Sequence, residues 1–326
     1  MIEKIIAYSE ANQRIDKYVR KALNDAPLSF IYKLFRKKDV KIDGKPVKID
    51  YKINAGETIR IYVTDQQLAD FMNPQATVGR DLAYPIVYED ENILIVNKPA
   101  NMLVHSDEGN AGKKTLTDHV LSYLTFKDEY NPRVDLGFAP GPAHRIDRNT
   151  TGLVVFGKNI EALQELGKLF SNKKNLDKYY LTLVSGRLRK DGEINASLLK
   201  DEKHNMSKVS TASYAKPALT KYSVVSTFKD TTLLNVQIIT GRTHQIRVHM
   251  QYIMHPIVND GKYGDFDFNR EFERRFGTEL IFLHAFSLQF REVPGILNYL
   301  SGITFEAPLP KNKQDIVDAL EKESRI

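Results

Sequence analysis

The sequence predicts an α+β protein: a mixed, mainly antiparallel sheet with flanking helices over residues 84–310, preceded by a small basic α+β unit over residues 12–63. Three observations lead there. From residue 84 onward strand-like runs outnumber helical periods, and hairpins mix with isolated helices in no regular βαβ repeat. The charge is unevenly divided: residues 1–63 hold 14 basic and 8 acidic side chains and so carry the whole net charge of +6, leaving 33 of each sign for the rest. The length, 326 residues, suits two domains at roughly 100–200 residues each.

The elements follow in order. Ile15, Tyr18, Val19 and Ala22 recur at i, i+3, i+4 and i+7 and predict an amphipathic helix. Pro27 and Ser29 start a second helix with Leu28, Ile31, Leu34 and Phe35 as its inner stripe, and Lys33, Arg36, Lys37 and Lys38 gather at its C-terminal end, where cations suit the helix dipole. Val40 to Ile42, the turn Asp43-Gly44 and Val47 to Ile49 read as a hairpin, and the alternation of Ile59, Ile61 and Val63 gives a last strand. Residues 64–83 show no sustained period, contain Asn73-Pro74 and Gly79, and read as a linker. Beyond it, Ile86 to Tyr88 and Ile93 to Val96 form a hairpin, and Leu153 to Phe156 is a buried strand. A helix with Ile160, Leu163, Leu166 and Leu169 inside and Asn159 as its cap follows, and Tyr179 to Val184, Ser223 to Ser226 and Leu233 to Ile239 are further strands. The polar stretch 311–326 reads as a surface helix or a frayed tail.

Composition narrows the function. With 42% hydrophobic and 27% charged residues the chain is globular rather than disordered, and no apolar run reaches the eighteen or so residues of a membrane span. The N-terminus lacks the apolar core of a signal peptide, so a cytoplasmic protein with no membrane partner is expected. The absence of cysteine removes disulfides, thiolate nucleophiles and Cys-ligated metals. No phosphate-binding glycine loop is present. The basic first unit suits electrostatic docking to an acidic partner, although a solvated lysine-rich surface fits the same charge.

Three stretches carry chemistry. Gly137 to Gly152 is rich in turn formers and holds Asp147 among Arg145 and Arg148 ahead of a buried strand. A carboxylate held rigidly between arginines is kept ionised and oriented, and can serve as nucleophile or general base; the same pattern also fits an Asx turn with a surface ion pair. In Thr240 to Met250 a strand ends at Gly241 and a helix begins, with Arg247 on the helix face of His244. His244 and His249, five residues apart, fall on different faces and do not suggest a shared metal. In Lys178 to Gly186, Tyr180, Thr182 and Val184 share one strand face; Tyr180 is core, or a ring that stacks on a planar base or exchanges a proton.

Together these stretches resemble the RluA-type pseudouridine synthases over residues 84–310. His144-Arg145-Ile146-Asp147-Arg148-Asn149-Thr150-Thr151-Gly152-Leu153 is similar to that family's signature, Lys178-Tyr179-Tyr180 to its Lys-x-Tyr motif, and Gly241 to Arg247 to its Gly-Arg-Thr-His-Gln-Ile-Arg motif. Asn97-Lys98-Pro99, Pro256-Ile257, Asp260 and Leu283-His284-Ala285 agree as well, whereas Asn149, Thr151, Asn101, Met254 and Asn259 depart from the usual residues. The basic unit, with Arg14-Ile15-Asp16-Lys17 and Asp43-Gly44-Lys45, resembles the small RNA-binding domain named after a small-subunit ribosomal protein.

The resemblance implies isomerisation of uridine to pseudouridine in structured RNA, ribosomal RNA before transfer RNA, by a monomer without cofactor or metal. It implies Asp147 as the essential carboxylate, Arg247 as its partner and Tyr180 as the ring that stacks on uracil. Arg145 would fill the gap of a flipped base, Val248 would pack on the ring, and His144 and Arg242 would contact substrate. Arg14, Lys17, Lys33, Arg36, Lys37 and Lys38 would hold RNA through phosphates. A non-catalytic RNA-binding or ribosome-assembly factor of the same fold is the alternative. A glycoside hydrolase would need a second acid opposite Asp147, which none of the three motifs supplies.

Overall fold

A computed structural model describes residues 1–72, 80–106, 114–172, 174–201, 204 and 206–324. In the N-terminal part, β1 (Ile2–Ile5), α1 (Ile15–Ala22), α2 (Leu28–Arg36), β2 (Val40–Ile42), β3 (Lys45–Pro46), β4 (Thr58–Ile61) and α3 (Asp65–Phe71) follow in order. The strands form an antiparallel sheet ordered β1-β4-β2-β3. Ile15, Tyr18, Val19 and Ala22 of α1, with Ile31 and Leu34 of α2, pack on Val40, Ile42, Ile59 and Ile61 of the sheet. Side chains of this size stabilise by about 1.5–3 kcal/mol each when fully buried.

Four expectations need correction here, the first being the hairpin, whose second strand is Lys45–Pro46 rather than Val47 to Ile49. The sheet begins at residue 2 rather than 12, because Ile2 to Ile5 pairs with Thr58 to Ile61. The segment 64–83 is not all linker: Thr64 and Gln67 form a reciprocal capping box that starts α3, and Leu68 and Phe71 pack on the first core. Residues 73–79 of that segment lie outside the described residues. Leu28, read as core, is 48% exposed at the first turn of α2.

The second part contains β5 (Ile86–Glu89), β6 (Ile93–Lys98), α4 (Leu116–Phe126), β7 (Gly141–Pro142), β8 (Thr151–Gly157), α5 (Ile160–Ser171), β9 (Leu176–Ser185), β10 (Gly192–Asn195), β11 (Leu198–Asp201) and β12 (Met206–Val209). It continues with β13 (Leu219–Thr227), β14 (Thr231–Ile238), α6 (Gln245–Tyr252), α7 (Phe266–Phe276), β15 (Leu283–Phe290), β16 (Thr304–Glu306) and α8 (Lys311–Glu323). Among the described residues one large sheet runs β10-β13-β14-β9-β15-β8-β6-β5, with β16 beside β15 and β7 beside β8, while β11 and β12 pair apart. The chain is thus a mixed α+β protein with sheets and flanking helices, as the patterning predicts. The run Leu153 to Phe156 is apolar throughout because both its faces are covered: Leu153 and Val155 share a core with α5, Val154 and Phe156 with α4.

Two features position the site. Within the large sheet β15 and β8 pair in parallel through only two residue pairs, His284 with Thr151 and Ala285 with Gly152. At Gly152, φ is +115° and a Cβ would lie 2.2 Å from the Ala285 carbonyl oxygen, so glycine is required. This short seam joins β10-β13-β14-β9-β15 to β8-β6-β5. Elsewhere, the N-terminal sheet unit packs on the segment that runs into the Asp147 stretch. Glu10, fully buried, accepts a 2.7 Å hydrogen bond from the Gly137 amide and pairs with Lys4 at 2.6 Å. Gln13 Nε2 donates to the Gly137 carbonyl at 3.0 Å, and the Tyr18 ring lies so close to Gly137 that a Cβ there would sit 2.1 Å from it.

Of the stretch 311–326, the described residues 311–324 are neither loose nor wholly on the surface. Residues 311–323 form α8, whose Ile316, Val317 and Leu320 pack against Phe272 and Phe282, while Lys313 is only 2% exposed.

Candidate active site

The turn-rich stretch after β7 carries Asp147 to one wall of a cavity of about 790 Å³. Asp147 and Arg145 come from the β8 side of the seam; Tyr180 on β9, His244 and Arg247 at the start of α6, and Leu283 on β15 come from the other. The polar groups of the cavity therefore converge across the junction between the two parts of the sheet.

The local sequence explains why Arg247 points there. Gln245 Oε1 accepts hydrogen bonds from Thr240 Oγ1 at 2.7 Å and the Arg242 amide at 3.0 Å, and its Nε2 donates to Leu219 O and Thr220 Oγ1, so the first turn of α6 is tied to β13. His244 takes the left-handed conformation at φ 55°, which turns the chain into the helix. Arg247 then donates through Nη1 to Asp147 Oδ2 at 3.1 Å, and through Nε and Nη2 to the two oxygens of Asp260, both at 2.7 Å. A planar fork held by one fully buried carboxylate presents its remaining nitrogen to the other in a fixed direction. Asp260 is itself held by the amides of Lys262 and Tyr263. Burial opposes the charge on Arg247, but Asp260 first and Asp147 second outweigh it and raise its pKa.

Asp147 has a second neighbour. His244 Nε2 lies 3.8 Å from Oδ2, and its Nδ1 is 2.8 Å from the Tyr263 hydroxyl, which accepts from the Ser207 amide. That hydroxyl proton is free to go to Nδ1, which leaves the ring proton on Nε2 facing Asp147. Burial lowers the His244 pKa despite the Asp147 charge, consistent with a neutral ring. Both neighbours meet Oδ2; among the described residues Oδ1 has no hydrogen-bond partner and is available to substrate.

Tyr180 lines the cavity, and burial, then the Asp147 charge, raises its pKa, so it remains a neutral phenol. Beneath the Asp147 loop, Lys98 is fully buried and donates to the carbonyls of Pro99, Met102 and Arg148 at 2.8–3.0 Å. Burial pushes its pKa down to about 7 against the pull of Asp147.

The structure brings together Asp147, Tyr180, Arg247, Arg145 and Arg242 around the cavity. Arg145 is exposed, and Arg242 donates through Nε to Pro217 O. Two expected substrate contacts lie elsewhere. Val248 is buried with Leu198, Ala218 and Tyr263, because neighbours on a helix are about 100° apart and Arg247 already faces the cavity. His144 stacks on Phe170 at 4.0 Å and accepts from the Val155 amide, with burial holding its pKa down to about 3. Ile246 and Leu283 supply apolar wall instead. His249 bonds Thr220 and Ala196, and among the described residues no His, Asp and Glu side chains gather as metal ligands. The expected RNA contacts Arg14, Lys17, Lys33, Arg36, Lys37 and Lys38 are all on the N-terminal sheet unit and all exposed, and Arg14 is paired to Asp16.

Sequence reasoning gave no role to Asp260, Tyr263 or Lys98. Asp260 is only thirteen residues from Arg247, and the turn Asn259-Asp260-Gly261 was a readable signal. Lys98 stands in Asn97-Lys98-Pro99, which agrees with the family, but that agreement assigns it no role.

Comparison with known proteins gives the family. Residues 92–252 match the family model described as RNA pseudouridylate synthase. The chain is 36% identical over 285 residues to the ribosomal large subunit pseudouridine synthase C of Vibrio parahaemolyticus serotype O3:K6, which covers 86% of this chain and 85% of that one. It is 35% identical over 295 residues to the protein of the same name from Escherichia coli K12, covering 88% of each. The fold also resembles the solved structure of human RNA pseudouridylate synthase domain containing 4, with a TM-score of 0.57 at 22% identity over 72% of this chain and 92% of that one. With a buried fork aiming an arginine at one carboxylate, a neutral tyrosine beside it and these relatives over most of its length, the chain belongs to the RluA-type RNA pseudouridine synthases and is an enzyme of that kind.

Proposed function

We propose that the protein isomerises specific uridines in large-subunit ribosomal RNA, held through a small N-terminal RNA-binding domain that precedes a catalytic domain of residues 84–310. The observation that carries the chemical reading is the Asp147 carboxylate on the cavity wall, with Oδ2 bonded to Arg247 and Oδ1 without a hydrogen-bond partner among the described residues. In the reaction the bond from uracil N1 to C1′ breaks, the base turns in place, and C5 bonds to C1′. C5 loses a proton and N1 gains one, so no atom is added or removed. Oδ1 of Asp147 serves as nucleophile at C1′ or as base on the sugar; both use the same oxygen and the same charge stabilisation by Arg247. Tyr180 stacks on uracil, and as a neutral phenol it can pass a proton without becoming a permanent base. Arg145, exposed at the rim, fills the space left by the extruded base, whose unstacking costs a few kcal/mol.

For the RNA class, support comes from the relatives' names, which specify the large ribosomal subunit, and from the cations at residues 14–38. Transfer RNA is the second reading of substrate. We further propose a cytoplasmic monomer, as the sequence reading expects. Purified protein is incubated separately with unmodified large-subunit ribosomal RNA and with a pool of unmodified transfer RNAs, and pseudouridines are mapped. Discrete sites in the ribosomal RNA alone are expected; sites in transfer RNA alone would replace the first reading by the second, and none in either would end both.

A further inference from the structure

The catalytic pair spans the shortest pairing along the main strand order of the large sheet. Asp147 belongs to the loop that enters β8, Arg247 to the part that contains β9, β14 and β15, and the two parts are joined through only two β15–β8 residue pairs. A pair of elements so briefly hydrogen-bonded can shift by tenths of an ångström unless something else bridges it. The Thr151 hydroxyl meets His284 Nδ1 across the seam at 2.8 Å, and a second bridge comes from the C-terminal helix. Lys313 of α8 donates through Nζ to the Leu283 carbonyl on β15 at 2.8 Å and to Thr151 Oγ1 on β8 at 3.1 Å. Thr151 opens β8, four residues after Asp147, and Leu283 lines the cavity.

The proton directions around this contact are determined. His284 Nε2 faces the Ala307 carbonyl at 2.9 Å and must donate, so its Nδ1 is bare and accepts from the Thr151 hydroxyl at 2.8 Å. The Thr151 oxygen therefore receives from Lys313. A neutral His284 fits this arrangement, since burial holds its pKa down to about 4. Burying an ammonium group is unfavourable, and burial lowers Lys313 to about 7; an apolar side chain would pack here at less cost if packing were its only task.

We infer that Lys313 is a positioning residue for pseudouridine formation, stapling β8 to β15 from the C-terminal helix so that Asp147 and Arg247 keep their registration across the seam. It touches neither substrate nor either member of the catalytic pair. Its loss should appear in turnover and leave substrate binding alone, because misplacement of reacting groups by under an ångström is costly while the RNA contacts lie elsewhere.

The test uses the full chain. Lys313→Met keeps length and volume and removes the donor. It should lower kcat for pseudouridine formation in a short RNA by at least about tenfold with KM within about twofold. Because the chain has no cysteine, Lys313→Cys offers a single thiol that can be aminoethylated before refolding, which restores an ammonium group at nearly the same reach. Most of the kcat lost in Lys313→Cys should return on aminoethylation. A Lys313→Met kcat within twofold of the parent, a loss borne by KM, or a modified thiol that restores nothing would each overturn the inference. Should Lys313→Met not fold, the Lys313→Cys chain with and without aminoethylation decides: kcat regained on modification supports the staple, and none regained rejects it.

Discussion

The protein uses positive charge in two ways that the N-terminal sheet unit and the cavity set side by side. At the cavity, Arg247 is held on three sides, by two oxygens of Asp260 and one of Asp147. On the N-terminal unit, Lys33, Arg36, Lys37 and Lys38 cluster at the end of α2, all four of them exposed. A buried cation with matched partners fixes direction, since each oxygen it meets removes a degree of freedom. An exposed cluster fixes nothing and raises the local concentration of a polyanion, in a way that salt weakens. Catalytic registration and substrate capture are thus assigned to different kinds of electrostatics within one chain.

The comparison breaks most sharply if the fixed carboxylate is dispensable. Asp147→Asn keeps the shape and removes the charge. Tritium release from carbon-5-labelled uridine in RNA should fall by at least about a thousandfold, with RNA affinity within about twofold, if the carboxylate supplies the nucleophilic or basic step. Next in size is Asp260→Asn, which leaves Arg247 half paired. Breaking a buried pair from one side costs about 3–5 kcal/mol, so thermal stability should drop along with turnover. Stability unchanged in that variant would mean the fork is not what aims Arg247.

The exposed side is tested by changing Lys33, Arg36, Lys37 and Lys38 to alanine together. Affinity for structured RNA should weaken about tenfold, and its salt dependence should flatten by roughly 0.7–0.9 in logarithmic slope for every phosphate the variant no longer neutralises. Turnover of a short RNA at saturation should not move. An unchanged slope would leave the cluster as a solvated surface.

A smaller effect separates buried from exposed groups by pH. Burial holds His144 near 3 and His284 near 4, below the value of about 6.5 for an unfolded histidine. The unfolded chain therefore gains protons that the native one refuses as pH falls below 6.5. Stability is complete above that value and declines between it and about 3, the His284 share being lost by about 4. The melting temperature should fall by several degrees between pH 7 and pH 5, equally in the parent and in the fourfold variant. A fall confined to one of them would reject this assignment. The smallest expected effect is none: a chelator should leave turnover unchanged on an RNA that folds without divalent ions, and a loss restored by one specific ion would count against the carboxylate-only chemistry.

How much of this was legible in the sequence depends on the scale of the signal. The motif stretches were readable because turn formers, a lone carboxylate and a strand-to-helix glycine are local features, and Asp147, Tyr180 and Arg247 meet around one cavity as expected. The i, i+3, i+4, i+7 stripe of α1 and the double-sided apolar run of β8 were equally local. The reading went astray where position relative to a neighbour decides. Val248 follows Arg247 by one residue and so faces a different side of the helix, and His144 turns onto Phe170. Lys313 was hidden by its own polarity. Lys313, Ile316, Val317 and Leu320 occupy i, i+3, i+4 and i+7, a core stripe headed by a lysine, and composition alone reads such a segment as surface.

Gly137 has a consequence for how this protein could be recombined. Its amide and carbonyl are bonded by Glu10 and Gln13, and the Tyr18 ring occupies the space a side chain would need. Nothing in that fit depends on RNA. An N-terminal unit taken from another protein and joined in front of residue 80 would have to bring its own counterparts of Glu10, Gln13 and Tyr18, or leave two backbone groups dry and unpaired at the joint. The front of the molecule is therefore keyed rather than interchangeable, and a graft that swaps it for a different RNA reader should require those three side chains to be carried over with it.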